Sequence, residues 1–146
     1  MEDPCAVKPV LAGGTAELGV GQSFMPVVTG QDVYLQLGAQ GLWMFVLTGR
    51  VRDMNVGSGD HEGIIDAAVF DKNGQEISLG LGCRLREFAE TDDGSLQFTS
   101  PFLTPLIPSI MVDGTTVMLR LQVRDTEGRQ ATDERAIVAR VPVQGP

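Results

Sequence analysis

The sequence predicts an all-β chain, an antiparallel sandwich of about eight or nine strands that closes on a terminal hairpin. Three observations carry this. Apolar residues recur with period two and hardly anywhere with the period of a helix. The 18 glycines and 8 prolines are spread between short apolar runs, as turns are in a protein made of strands. Turn sequences such as Asn73-Gly74, Asp93-Gly94 and Asp113-Gly114 separate those runs, and each tolerates the positive φ that a tight turn demands.

Taken in order, residues 1–22 read as an extended N-terminal arm rich in glycine (Gly13, Gly14, Gly19, Gly21), with one weak strand at Thr15–Val20. Residues 23–146 form the sandwich, so that 1–146 is a single domain with no internal repeat. The run from Asp32 to Leu37 alternates, with Val33, Leu35 and Leu37 turned inward. Trp43, Phe45, Leu47 and Val51 continue that inward face. Leu42, Met44 and Val46 make the early half of this strand apolar on both sides, which places it centrally and covered twice. Ile64–Phe70 turns through Asn73-Gly74 into a return strand at Glu76–Leu81, and Cys83–Phe88 and Ser95–Phe102 flank the next turn. Pro108 removes a ladder donor from Leu106–Val112 and confines it to an edge or a bulge. The cleanest alternation is Thr116–Arg124, with Val117, Leu119, Leu121 and Val123 inward; a loop through Asp125–Arg129 leads to Ala136–Val141. A turn of helix has room only near Glu87–Thr91 or Ala131–Glu134.

With 11 basic and 19 acidic residues the net charge is −8. Such a surface repels a phosphate backbone and an anionic membrane, so neither nucleic acid nor a membrane surface is an expected partner. The longest uncharged apolar run, Leu42–Leu47, is far short of the roughly 20 residues of a spanning helix. A monomer or weak dimer is expected. The chain opens Met1-Glu2-Asp3-Pro4-Cys5, without the apolar stretch of a signal peptide. A natural cytosolic start and an initiator standing where an export segment was are the two readings, and the second is favoured here.

Cys5 and Cys83 are the only cysteines. A disulfide between them would close a long loop, worth about 4 kcal/mol in the chain-entropy account, and would suit an oxidising compartment. The competing reading is two unrelated thiols, with Cys83 a small core residue. Even with His61 they supply three ligands where structural zinc needs four.

His61, the sole histidine, sits in the polar loop Asn55–Gly63. No Gly-x-Ser-x-Gly elbow exists, and Gly57-Ser58-Gly59 has the wrong spacing for one, so no catalytic residue is assigned. Three acidic clusters are candidates for calcium: Asp60, Glu62 and Asp66; Glu90, Asp92 and Asp93; Asp125, Glu127, Asp133 and Glu134. Calcium wants about six to eight converging oxygens. None of the clusters has EF-hand spacing, and turn chemistry explains Asp92, Asp93 and Asp113. No cofactor is expected. A glycosidase would pair two carboxyls across an aromatic-lined cleft, for which one Trp and one Tyr are a thin supply. Arg50 and Arg52 share one strand face, and Arg120 and Arg124 share another. If those strands are neighbours they make an arginine-bearing face for an acidic partner; otherwise each is a solvated face.

The closing segment, an alternating strand followed by Val123-Arg124-Asp125-Thr126-Glu127-Gly128-Arg129 and a last strand, resembles the final hairpin of immunoglobulin-like and fibronectin-like bacterial surface domains. The antibody-type hallmarks are missing: Tyr34 lies too early for a tyrosine corner, and Cys5 lies outside the expected strand. A narrower resemblance rests on Val28-Thr29-Gly30-Gln31-Asp32-Val33, Leu37-Gly38-Ala39-Gln40-Gly41, the aromatic strand after it and the Asp-x-x-Gly-Arg hairpin. Together these look like uncharacterised exported or lipoprotein-like proteins of myxobacteria and their relatives. Those commonly read Gly-Pro-Gln-Gly-Gly followed by histidine and an aromatic; here Ala39 replaces the proline, and Leu42, Trp43 and Met44 replace the glycine and histidine. The resemblance implies export and a sandwich and carries no activity.

The expectation is therefore a non-enzymatic, extracytoplasmic binding or structural module of the cell envelope, meeting a protein partner through sheet edges or end loops. The alternative is a carbohydrate- or calcium-binding module, or a hydrolase, using the loop around His61 and the acidic clusters. A deep cleft with convergent polar groups would favour the second, and a filled sandwich with shallow surfaces the first.

Overall fold

The structure, a computed structural model, describes residues 13–21, 23–38, 41–56, 63–79, 84–125 and 127–142. Cys5, His61 and Cys83, and with them the expected disulfide and most of the His61 loop, lie outside the described residues. The chain is all-β: twelve strands and no helix among the described residues, arranged in two sheets over one shared core.

The first sheet is built on β5 (Trp43–Arg52). One edge of β5 pairs with β1 (Thr15–Val20) and, nearer its start, with β4 (Gln36–Leu37). The other edge pairs with β9 (Leu96–Phe98) and with β10 (Phe102–Pro105). The short β2 (Met25–Pro26) lies outside β1, and β8 (Phe88–Glu90) lies outside β9. The second sheet runs β3 (Asp32–Tyr34), β12 (Gln130–Arg140), β11 (Thr116–Arg124), β6 (Gly63–Phe70), β7 (Arg84–Arg86). Its pairs are antiparallel except β3 with β12, which is parallel.

The period-two pattern puts the core where alternation predicts it. Phe45, Leu47 and Val51 of β5 and Val117, Leu119, Leu121 and Val123 of β11 are all buried between the sheets, each contributing about 1.5–3 kcal/mol by leaving water. The central position of β5 follows from its double-sided apolar half: Val46 and Thr48, on its other face, are buried too. Midway along β5 core side chains from both sheets pack directly against the backbone of Gly49. A Cβ there would stand 2.6 Å from Leu121 Cδ2 and 2.9 Å from Phe98 Cζ, so only glycine fits without displacing the core.

Several strands expected to be straight instead change sheets. The chain leaves the second sheet after β3, passes through buried Leu35 and joins the first as β4. It crosses again at Glu87, between β7 and β8. Of the expected return strand at 76–81, the described part, 76–79, appears only as bridges: Ile77 N donates to Val69 O (2.8 Å), while Leu79 N donates to Pro105 O (2.9 Å), which stitches β6 to β10. Such switches are how packed sheets make corners. They also explain why twelve strands stand where eight or nine were expected. Ser95–Phe102 is divided for another reason: the strand is interrupted at 99–101, where Pro101 has no N–H to give.

Four further expectations are corrected. The strand expected at Thr15–Val20 is there, but as an inner strand of the first sheet and not part of an extended arm: β1 lies between β5 and β2, and Leu18 is completely buried. The places with room for a helical turn are strand β8 and part of β12, because pairing with β9 and β11 satisfies their backbones. Leu106–Val112 is a loop apart from one bridge at Leu106, and the last strand starts earlier than expected, at Gln130.

Candidate binding site at the open end

The strand ends place two different sets of side chains at the two ends of the sandwich. At one end β5 begins with Trp43, β10 runs out into the loop 106–113, and β12 finishes before Val141. Leu35, Trp43, Leu106, Ile107, Ile110 and Met111 line a cavity of about 530 Å³ there, a size that suits a small ligand or a partner's side chain. Trp43 has the inward parity expected of it and packs against the core, but it is only partly buried, because it forms a wall of this opening. Leu37, expected inward, is half exposed at the same end for the same reason: no strand continues over it.

The loop that carries the outer wall is braced by its own backbone. Leu106 N donates to Trp43 O (2.9 Å), Ile110 N to Ile107 O (3.0 Å) and Gly114 N to Ala139 O (2.7 Å). Thr115 Oγ1 donates to Val112 O (2.7 Å), and Asp113 Oδ1 accepts from Val141 N (2.9 Å). The loop presents large apolar side chains: Met111 is 94% exposed and Ile110 37%. Such walls bind by shape and dehydration, and Asp113 adds one carboxylate to the lining. The apolar residues around Pro108 were the sequence signal for this site, and their reading as an edge strand concealed it.

The expected arginine face does not form. Arg50 and Arg52 stand on β5 in the first sheet, Arg120 and Arg124 on β11 in the second, so the pairs point from opposite outer faces. Arg120 lies over the Phe70 ring at 4.7 Å, beside a shallow cavity of about 490 Å³ that also touches Met118 and Ala136. Arg124 reaches Gln130 Oε1 with NH2 (2.9 Å). Arg52 pairs with Asp93 (2.8 Å), and Arg50 donates from Nε to Gln97 Oε1 (2.9 Å).

The acidic clusters are largely spent on holding the fold. Asp125 is buried, and its carboxylate accepts from the N–H groups of Asn55 (2.9 Å), Glu127 (2.9 Å) and Arg129 (2.8 Å) and from the Arg129 guanidinium (3.3 Å). Asp133 reaches across to the first sheet, accepting from Leu18 N (2.7 Å), and pairs with Arg135 (2.9 Å). Glu134, by contrast, is exposed. In the second cluster Asp93 accepts from Thr91 Oγ1 (2.6 Å) and from Ser95 N and Oγ (3.0 and 2.7 Å). Those hydrogen bonds, helped by the Arg52 charge, hold its carboxyl well below the usual carboxylate range. In the first cluster Asp60 and Glu62 lie outside the described residues, and Asp66 stands opposite Gln122. Among the described residues no three His, Cys, Asp or Glu side chains are placed to hold a metal ion, and no helix is long and apolar enough to cross a membrane.

Compared with known proteins, the chain matches no family, no curated protein and no solved structure.

Proposed function

We propose that this chain is a non-enzymatic, exported binding or structural module of the cell envelope, built as an immunoglobulin-like sandwich. In this reading it holds an apolar side chain of a protein partner in the cavity at the Trp43 end. The observation that carries the reading is the exposure of Met111 and Ile110 around a partly buried tryptophan. An isolated exposed apolar residue needs no explanation, but a contiguous set around a preformed cavity marks a place of contact. A tryptophan on a central strand, facing between the sheets, is what supports the immunoglobulin-like part. Export rests on the resemblance and on the cysteine pair, and intact mass after alkylation, with and without reduction, tests a Cys5–Cys83 bond in exported protein.

Trp43 is the only tryptophan, so it reports on the cavity directly. Titration with the neutral apolar dye Nile red should quench Trp43 emission by energy transfer and raise dye fluorescence saturably. Met111→Asp should leave stability within about 0.5 kcal/mol of wild type, as for an exposed residue, and weaken dye binding about tenfold or more, since a charge is then set in the apolar wall. Dye binding that is unsaturable, or indifferent to Met111→Asp, contradicts the reading.

A further inference from the structure

A second notch lies away from the Trp43 end, where the outer face of the first sheet meets the edge of β12. Arg50, Arg52 and Arg135 line it together with Glu17, Thr15 and Ser95 in a cavity of about 300 Å³. Two of the three guanidinium charges are already matched, Arg52 by Asp93 (2.8 Å) and Arg135 by Asp133 (2.9 Å). Arg50 is different. Its Nε donates to the neutral amide of Gln97 (2.9 Å), and its guanidinium lies over the Phe24 ring at 4.2 Å. Among the described residues no carboxylate lies within ion-pair distance of it, although Glu17 is its direct neighbour across the β1–β5 pair.

The stacked ring and the amide fix the plane of the Arg50 fork and, among the described residues, leave NH1 and NH2 without a hydrogen-bond partner. A guanidinium held in this way has already lost the rotamer freedom that binding would otherwise cost, and its two terminal nitrogens match two oxygens of one acid group. The Thr15 hydroxyl and the remaining N–H groups of the ion-paired Arg52 and Arg135 line the same notch and add donors around the fork. We infer that the notch between Arg50, Arg52 and Arg135 binds a single oxyanion group, a carboxylate or a phosphate, with Arg50 as its principal ligand. This site is separate from the apolar cavity and stands whether or not that cavity binds a partner.

The test is a titration of the ¹⁵N-labelled chain with N-acetyl-glutamate in one arm and inorganic phosphate in the other, read at the Arg50 Nε–H in wild type and, in wild type and every variant, at the backbone amides of residues 50, 52 and 135. Saturable shifts at millimolar ligand are expected in at least one arm, and the tighter arm identifies the acid group as an acidic side chain or a phosphate. Arg50→Lys keeps the charge and the fold but removes the fork, and should weaken binding about tenfold. Glu17→Gln removes the competing carboxylate and should tighten binding about threefold. Met111→Asp should change nothing here. No saturable shift in either arm, or an Arg50→Lys protein that binds as well as wild type, overturns the inference.

Discussion

The two ends of the sandwich are made from the same kinds of strand ends and loops, yet one is closed by a carboxylate and the other is left open and apolar. At the closed end the buried Asp125 carboxylate gathers three backbone N–H groups and a guanidinium from two loops. At the open end the loop 106–113 is tied by hydrogen bonds within itself and to the neighbouring strand ends, and leaves Ile110 and Met111 exposed. Where polar groups converge, they hold the fold; where apolar groups are left over, they are available for a partner. Acidic residues are therefore a poor guide to function in this chain, because its largest acidic cluster contains two of its structural anchors, Asp125 and Asp133.

The largest effect should come from breaking the closed end. Asp125→Ala strips a buried acceptor from three N–H groups and leaves the Arg129 guanidinium without it, and should cost about 3–5 kcal/mol in urea unfolding. A loss below about 1 kcal/mol would mean that the loop holds itself and that the two ends do not differ as described. The open end should be softer. Trp43→Ala should cost about 2–3 kcal/mol, less than a sealed core aromatic, because Trp43 already gives part of its surface to water. A full core-sized loss would show the cavity to be closed in solution.

How much of this was legible in the sequence depends on which physical signal each feature leaves. Parity alone located the core faces of β5 and β11, because a one-residue error would have turned Phe45 and Leu119 outward. The turns at Gly74 and Gly94 were equally legible: both have positive φ, as Asn-Gly and Asp-Gly foretell. Sheet membership was not. Val33, Leu35 and the residues of β4 read as one strand because both sheets turn apolar residues to the same core, and only the backbone partners differ. The arginine face failed on the same point, since equal parity on β5 and β11 says nothing about whether those strands are neighbours. The notch took its third arginine from Arg135, on β12, which lies between the stretch with room for a helical turn, Ala131–Glu134, and the expected last strand from Ala136.

The smallest expected effect is at Asp93, at the closed end but on its surface. Its carboxyl is held low by Thr91 and Ser95, so the folded state keeps it ionised at a pH where the unfolded chain has begun to take up a proton. Its contribution is thus fully present above the unfolded value of about 3.9 and is lost as pH falls below it toward the folded value. Asp93→Asn should leave the stability difference between neutral and acid pH smaller than in wild type, as followed by thermal melts at several pH values below about 5. An unchanged difference would show that the turn does not hold the charge.

The most direct test of the central claim, that the open end is the contact surface and the closed end its support, is a residue-resolved map of Nile red binding by ¹⁵N chemical shifts. Perturbations should gather at the Trp43 indole N–H and at the backbone of Leu106, Ile107, Met111 and Val112, with Asn55, Glu127 and Arg129 unmoved. Shifts centred instead on the Phe70–Met118 cavity of the second sheet, or spread across both ends alike, would contradict the account.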